Sequence, residues 1–244
     1  QYGLGNYNLF LDTSDETRLH NFINVADWLV KNLEPNSFNI PVWNHYFDFE
    51  YRDTLTSPWY SGLAQGLGIS VLLRAYKETN NEKYLDTYHE AWKSMTTTAD
   101  EGGVIYIDKN QNYWIEEYIV NPPTHILNGF IWALWGVYDS WKILNNNDAK
   151  ELFEKCCKTL ENNLEKYDYD HWSLYDQAGL PLNNMASSFY HKLHIVQLEI
   201  LSNLSGNHTF QKFADKWRSC NSSNFYKYRA LINKSIFISF LFIE

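Results

Sequence analysis

Glu116, Glu117 and Tyr118 stand in a row inside the stretch WIEEYIVNPPTHILNGFIWAL (residues 114–134), just ahead of Pro122-Pro123 and a long apolar run. Two acids at a loop edge are ordinarily solvated surface. Held beside aromatic rings at a helix entrance, they can carry proton chemistry, because burial raises a carboxyl pKa and neighbours can tune a phenol. Three other segments hold comparable residues. SPWYSGLAQG (57–66) carries Trp59, Tyr60 and Gln65, WSLYD (172–176) carries Tyr175, and ASSFYHKLHIVQLE (186–199) carries Tyr190, His191, His194 and Gln197. On a helix His191 and His194 share a face, as do His194 and Gln197. The histidine pair has metal-ligand spacing but no cysteine or carboxylate partner at ligand spacing, so no metal site is expected. A hydrogen-bonded structural pair is its alternative. The other candidates have plain alternatives too. Tyr190 could be core, Gln65 among Gly62, Gly66 and Gly68 could allow close helix packing, and Glu116 and Glu117 could be a solvated strand end. What links them is their position in a repeat.

The repeat is helix, polar turn, helix, with apolar residues at three- and four-residue spacing. It reads over Leu4–Val30, Ser61–Met95, His125–Leu160 and Tyr190–Ser219. The turns fall at Thr13-Ser14-Asp15, Asn80-Asn81, Asn146-Asn147 and Ser205-Gly206-Asn207. About four helical hairpins in series predict an all-α fold, an α/α toroid or open barrel, with the first helix of each pair inside and the second outside. Residues 1–244 read as a single catalytic barrel domain. Alternating apolar and polar residues predict a β-hairpin over Gly102–Tyr118 around Lys109-Asn110-Gln111, and a similar one over Asp168–Gly179. Such hairpins crown one mouth of a barrel, where Glu116, Glu117 and Tyr118 would end a strand. Asn128 and Gly129 would then sit near the start of the next inner helix, whose unpaired N–H end favours anions.

Composition narrows the partners. The chain has 244 residues, 45% apolar and 20% charged, which suits a globular protein with a sizeable core. Its net charge of −9 and five arginines argue against a nucleic-acid partner. Aromatic residues make up 17%, and tyrosine and tryptophan suit sugar clefts because ring faces stack on pyranoses while OH and NH groups bond hydroxyls. Cys156, Cys157 and Cys220 have no metal or disulfide pattern and read as reduced structural thiols. The sequons at Asn203, Asn207, Asn221 and Asn233 read as chance matches in an Asn- and Ser-rich chain. No apolar run reaches the roughly 20 residues of a membrane span. IFISFLFIE (236–244) reads as a terminal helix or strand packed on the core. No signal peptide is visible, which favours the cytoplasm, although the chain starts at Gln1 and leaves room for an upstream segment.

At the four segments the sequence resembles the C-terminal domain of the D-glucuronyl C5-epimerases, the heparan and heparosan epimerases and their prokaryotic relatives. The matching stretches are SPWYSGLAQGLGISVLLRAY, WIEEYIVNPPTHILNGFIWALWGVYD, SLYD and YHKLHIVQLEIL, in order from about Ser57 to Trp217. The resemblance implies an α/α barrel that inverts C5 of a uronic acid within a polysaccharide, D-glucuronate to L-iduronate, without a redox cofactor. It places the catalytic acid and its tyrosine on Glu117 and Tyr118, and further catalytic tyrosines on Tyr175 and Tyr190, followed by His191. The animal enzymes carry an arginine shortly after the YD segment, and here Ala178 stands in its place.

That chemistry fits the residue types. C5 inversion needs two proton carriers on opposite faces of the sugar and donors around the carboxylate. Expected substrate contacts are Trp59, Tyr60, Gln65, Arg74, Asn128, His191 and His194, with Arg74 and Lys192 offsetting substrate charge. The expected partner is a uronic-acid-containing polysaccharide, and a homodimer stays open. A polysaccharide lyase using the same proton abstraction and a non-catalytic glycan-binding domain are the alternatives.

Overall fold

A computed structural model describes residues 1–170, 172–221 and 223–241. Four helical hairpins form it: α1 (Tyr2–Thr13) with α2 (Glu16–Lys31), α3 (Gly62–Thr79) with α4 (Glu82–Thr96), α5 (Leu127–Leu144) with α6 (Asn147–Asn163), and α7 (Ser188–Ser205) with α8 (His208–Asn221). A further helix, α9 (Asn224–Leu241), follows. The strands come in short antiparallel pairs: β1 (Glu34–Pro35) with β2 (Pro41–Val42), β3 (Asn44–His45) with β6 (Trp59–Tyr60), β4 (Phe49–Glu50) with β5 (Thr54–Leu55), β7 (Ile105–Ile107) with β8 (Tyr113–Ile115), and β9 (Asp168–Tyr169) with β10 (Trp172–Ser173).

One turn chemistry serves all four hairpins. Each first helix ends on a left-handed residue, Ser14, Asn80, Asn145 or Gly206, at φ 54°, 51°, 54° and 72°. The next residue is an Asp or Asn whose side chain accepts from the backbone N–H of Thr17, Lys83, Asp148 or Thr209. The αL residue closes one helix and the Asx oxygen caps the next, so two residues reverse the chain. The third turn lies one residue earlier than the sequence suggested, at Asn145-Asn146. The run Asn145-Asn146-Asn147 offers two registers, and only the earlier one lets Asn146 cap both Asp148 and Ala149.

The second helices bury one stripe each: Phe22, Ala26 and Leu29 on α2, Tyr84, Tyr88, Ala91 and Met95 on α4, Leu152, Phe153, Cys156 and Leu160 on α6, and Phe210, Ala214 and Trp217 on α8. The first helices form the inner layer and line a cavity of about 520 Å³ with Leu4, Trp132, Trp135, Val196 and Ile200. Small residues let α3 and α5 touch. A Cβ on Gly66 would fall 2.5 Å from the Ala133 backbone, and one on Gly136 would fall 2.1 Å from the Gly66 carbonyl oxygen. The expected all-α toroid, inner helix first and β-hairpins between, is what forms.

Two differences matter. Beyond the two hairpins expected over 102–118 and 168–179, the segment 34–60 folds into three small β pairs. Glu116–Tyr118 do not end a strand but follow β8 in a bend. The closing stretch IFISFLFIE enters α9, which packs through Ala230 and Phe237 while Phe225, Tyr228, Leu231 and Ile232 stay exposed. Residues 242–244 of that stretch lie outside the described residues. No described helix is long and apolar enough to cross a membrane.

Candidate active site

The β7–β8 hairpin delivers the two glutamates to different places. Its register pairs Ile105 with Ile115, and the backbone N–H of Glu116 then donates to Val104 O at 2.9 Å. The Glu116 carboxylate turns to His125, accepting its backbone N–H at 3.0 Å and contacting its Nδ1. His125 is itself clamped. Its ring stacks on Trp114 at 4.1 Å, and its carbonyl accepts the Tyr167 hydroxyl at 2.5 Å. Glu116 therefore pins the loop that leads into α5.

Glu117 goes the other way and lies over Gly129 in the first turn of α5. A Cβ there would sit 1.9 Å from Glu117 Oε2, so only glycine admits the carboxyl. Glu117 is 8% exposed, and its Oε2 has no hydrogen-bond partner among the described residues. Burial pushes its pKa up to about 7, with the Glu116 charge adding to the rise and the Tyr118 hydroxyl opposing it.

Three tyrosines gather beside this carboxyl. The Tyr118 ring is ringed by Tyr51 at 4.9 Å, Phe49 at 5.4 Å and Trp59 at 5.7 Å. Burial, and next the Glu117 charge, raise its pKa; the same two causes, in the same order, raise that of Tyr175. Tyr190, in the first turn of α7, meets Tyr175 edge-on at 4.9 Å and is half-buried. Backbone bonds hold these segments in register. The Leu127 N–H at the start of α5 donates to Tyr175 O at 3.0 Å, and the Gln177 N–H donates to Thr124 O at 2.8 Å. The four segments singled out in the sequence thus converge on one mouth at Glu117, Tyr118, Tyr175, Tyr190 and Trp59.

Other expected contacts lie elsewhere. Gln65 is fully buried, with Oε1 accepting the Trp43 N–H at 2.9 Å and Nε2 donating to the Trp43 and Ser61 carbonyls, so it fastens β3 to α3. Tyr60 packs on the main core, on the opposite strand face from Trp59. Arg74 pairs with Asp139 at 2.9 Å, twelve residues and about 18 Å of helix beyond Gly62. His191 and His194 are fully buried behind Tyr190. The Nδ1 of His191 accepts the Ser173 N–H at 3.1 Å, its Nε2–H donates to Trp217 O at 3.2 Å, and Ser173 Oγ lies 2.8 Å from His194 Nδ1. Burial pulls their pKa values down to about 4 and about 3, so both are neutral and form the hydrogen-bonded structural pair. Lys192 is exposed. Asn128 is buried beside Gly129, its carbonyl held by Gln197 Nε2 at 3.0 Å and its Oδ1 unpartnered among the described residues.

Tyr51 and Asp176 were not anticipated. The Tyr51 hydroxyl donates to Asp176 Oδ2 at 2.5 Å, and Asn184 Nδ2 donates to the same oxygen at 2.6 Å. The only hint in the sequence was the aromatic alternation of YFDFEY (46–51), which a strand reading would have placed on one face.

A profile of the D-glucuronyl C5-epimerase C-terminus matches residues 37–219, three quarters of the chain. The chain belongs to that family. It is 34% identical over 218 residues to the D-glucuronyl C5-epimerase of Caenorhabditis elegans, covering 83% of this chain and 35% of that protein. It is 31% identical over 199 residues to an uncharacterized protein of Methanocaldococcus jannaschii, covering 80% of this chain and 63% of that one. The chain thus spans about a third of the epimerase's length. Among solved structures, a sugar epimerase from a ruminal bacterium superposes with TM-score 0.61 at 15% identity, over 86% of this chain and 55% of that one. An unsaturated glucuronyl hydrolase specific for heparin superposes with TM-score 0.58 at 15% identity, over 90% and 59%. These likenesses concern the fold, an α/α toroid.

Proposed function

We propose that this member of the epimerase family inverts C5 of D-glucuronate within a polysaccharide, using Glu117 and Tyr190 as proton carriers. The observation that carries the reading is the Glu117 carboxyl, buried, unpartnered at Oε2 and brought to a pKa of about 7 next to three tyrosines. Near neutral pH such a group is part ionised and returns a proton readily.

Removal of the C5 proton leaves its electron pair on the substrate as an aci-carboxylate. Glu117, with Tyr118 as one cluster, takes that proton. The Tyr190 phenol gives a proton to C5 from the opposite face, which inverts the centre. Tyr175, edge-on to Tyr190, orients the ring or its carboxylate. Glu117 ends protonated and Tyr190 ends as phenolate, and exchange with solvent restores both. Water reaches Tyr190, which is half-exposed. Trp59 offers a ring face beside Tyr118 for a sugar.

Solvent deuterium tests the scheme. Heparosan-type oligosaccharides incubated with the protein in deuterium oxide should gain deuterium at C5 and show iduronate signals by NMR. Ultraviolet absorbance of an unsaturated uronate would instead identify a lyase. Binding with neither product would leave a glycan-binding domain.

A further inference from the structure

The mouth described above has acids and phenols but, up to this point, no cation. One lysine reaches it from α9, outside the span matched by the family. Lys234 Nζ donates to Asn184 Oδ1 at 2.5 Å and lies 5.2 Å from the Tyr175 ring centroid and 5.5 Å from that of Phe237. Tyr175 and Tyr190 have centroids 4.9 Å apart, so the ammonium is within about 10 Å of the Tyr190 ring centre. The side chain is half-buried and its head is tethered to Asn184, which fixes a long side chain that would otherwise wander.

The ammonium is under-used. It carries three hydrogens, and among the described residues its one hydrogen bond goes to a neutral amide. The nearby acid, Asp176, is engaged by other donors: Tyr51 and Asn184 on Oδ2, and the Ala178 N–H on Oδ1 at 3.2 Å. Burial pulls the Lys234 pKa down, and the Asp176 charge only partly opposes it. A half-buried cation without a paired carboxylate is in an unfavourable setting, which an arriving carboxylate would relieve. Of the other cations about this end of the chain, Lys216 pairs with Asp168 at 2.7 Å and Arg229 with Asp170, while Lys166 donates to the neutral Asn163 amide at 2.6 Å and Lys192 is exposed; among the described residues it is Lys234 that lies over the Tyr175 ring. Arg52 sits in the turn after Tyr51 and pairs with Asp53 at 2.6 Å.

We infer that Lys234 is the seat for a carboxylate of the bound glycan, placing a uronate against the Tyr175–Tyr190 pair. This rests on the uronate reading of the site, and it makes Lys234 a binding residue rather than a proton carrier.

Titration calorimetry with a glucuronate-containing oligosaccharide and its carboxyl-reduced counterpart tests it, with C5 deuterium uptake followed on the same proteins. The wild-type chain should bind the acidic form at least about tenfold tighter, the scale of one charge-assisted contact. Lys234→Gln keeps a donor for Asn184 but removes the charge, and should erase that preference, as should Lys234→Met. Lys234→Arg and Arg52→Met should keep it, with melting temperatures showing that each variant is folded. Equal binding of both sugars by the wild type, a preference surviving in Lys234→Gln and Lys234→Met, or its loss in Arg52→Met would overturn the assignment. A preference that depends on Lys234 without any deuterium uptake would reject the epimerase reading and leave the carboxylate seat standing. Uptake with a preference indifferent to Lys234 would do the reverse.

Discussion

A group that takes a proton from carbon has to be free of strong partners, and of the two glutamates only Glu117 is. Glu116 is bound to His125 at both its backbone and its ring, so its carboxylate is occupied in holding the loop. Glu117→Gln should therefore lower C5 exchange by at least about 100-fold, the lower scale for a general acid–base group, while leaving the fold intact. Glu116→Gln should act mainly on stability. Losing a charged acceptor from a buried pair costs about 1.5–3 kcal/mol, several degrees of melting temperature for a chain this size, with a much smaller direct effect on exchange. The pH dependence separates the two residues further. The Glu117 pKa is raised on folding from 4.5 to about 7, so the folded state holds this proton more tightly than the unfolded chain does. Stability from this group is complete below the unfolded value and is lost as pH rises through the folded one, by about 3 kcal/mol in all. Unfolding titrations should find Glu117→Gln close to wild type near pH 4 and more stable than wild type above about pH 7. Exchange per unit of free enzyme should rise with pH over the same window, because the base is the ionised form, and a flat profile would argue against Glu117 as that base. Tyr190→Phe removes only a hydroxyl and should block inversion, while one-sided C5 exchange through Glu117 persists.

The elements bring these residues together through contacts that differ in kind, and two glycines separate them. Gly129→Ala adds a Cβ 1.9 Å from the Glu117 Oε2 and 2.7 Å from the Glu117 Cβ, so the carboxyl is displaced and the Glu117 backbone has to shift as well. Overpacking of about 1–3 kcal/mol is then offset only in part by the roughly 0.5–1 kcal/mol that alanine gains in the helix, so melting should fall modestly while exchange falls at least tenfold. Gly66→Ala drives a Cβ into the Ala133 backbone, where nothing can swing. It should cost about 1–3 kcal/mol as α3 and α5 part, measurable by denaturant unfolding. Much of this layout was readable beforehand. Three- and four-residue spacing gave the hairpins, and Asn80-Asn81 gave a turn whose αL and capping geometry the structure repeats four times. The β7–β8 hairpin was legible because Asp108 and Asn112 flank a polar turn between alternating residues. The strands of 34–60 were not, because each is two residues long and is held by tertiary partners such as Gln65 rather than by its own pattern. Gln65, Tyr60 and Arg74 were assigned to the substrate from residue type and position. Which partner such a side chain finds is decided across the fold, by Trp43, the main core and Asp139, and spacing within one segment does not encode it. The same holds for His191 and His194, whose shared helix face is correct but points into the core.

The whole molecule opposes the ligand proposed for it. A net charge of −9 repels a polyuronate at long range, while the mouth would attract it through a few local groups. The two contributions respond differently to salt. Raising ionic strength from roughly 0.01 to 0.15 M shortens the Debye length from about 30 to about 8 Å, which removes most of the long-range repulsion between the polymer and the net negative charge of the chain. The Lys234 ammonium is half-buried, and a carboxylate seated against it would be screened much less. Association with a long heparosan chain should therefore speed up, and its apparent KM fall, as salt rises through this range. A short oligosaccharide with one or two uronates should show a weaker effect, since it carries little charge past the mouth. Stopped-flow association rates or KM values across a sodium chloride series would measure both. A KM that rises steeply with salt for the long chain would mean that binding is governed by an extended basic surface, and α7–α9, with seven Lys and Arg against two acids, are where it would lie.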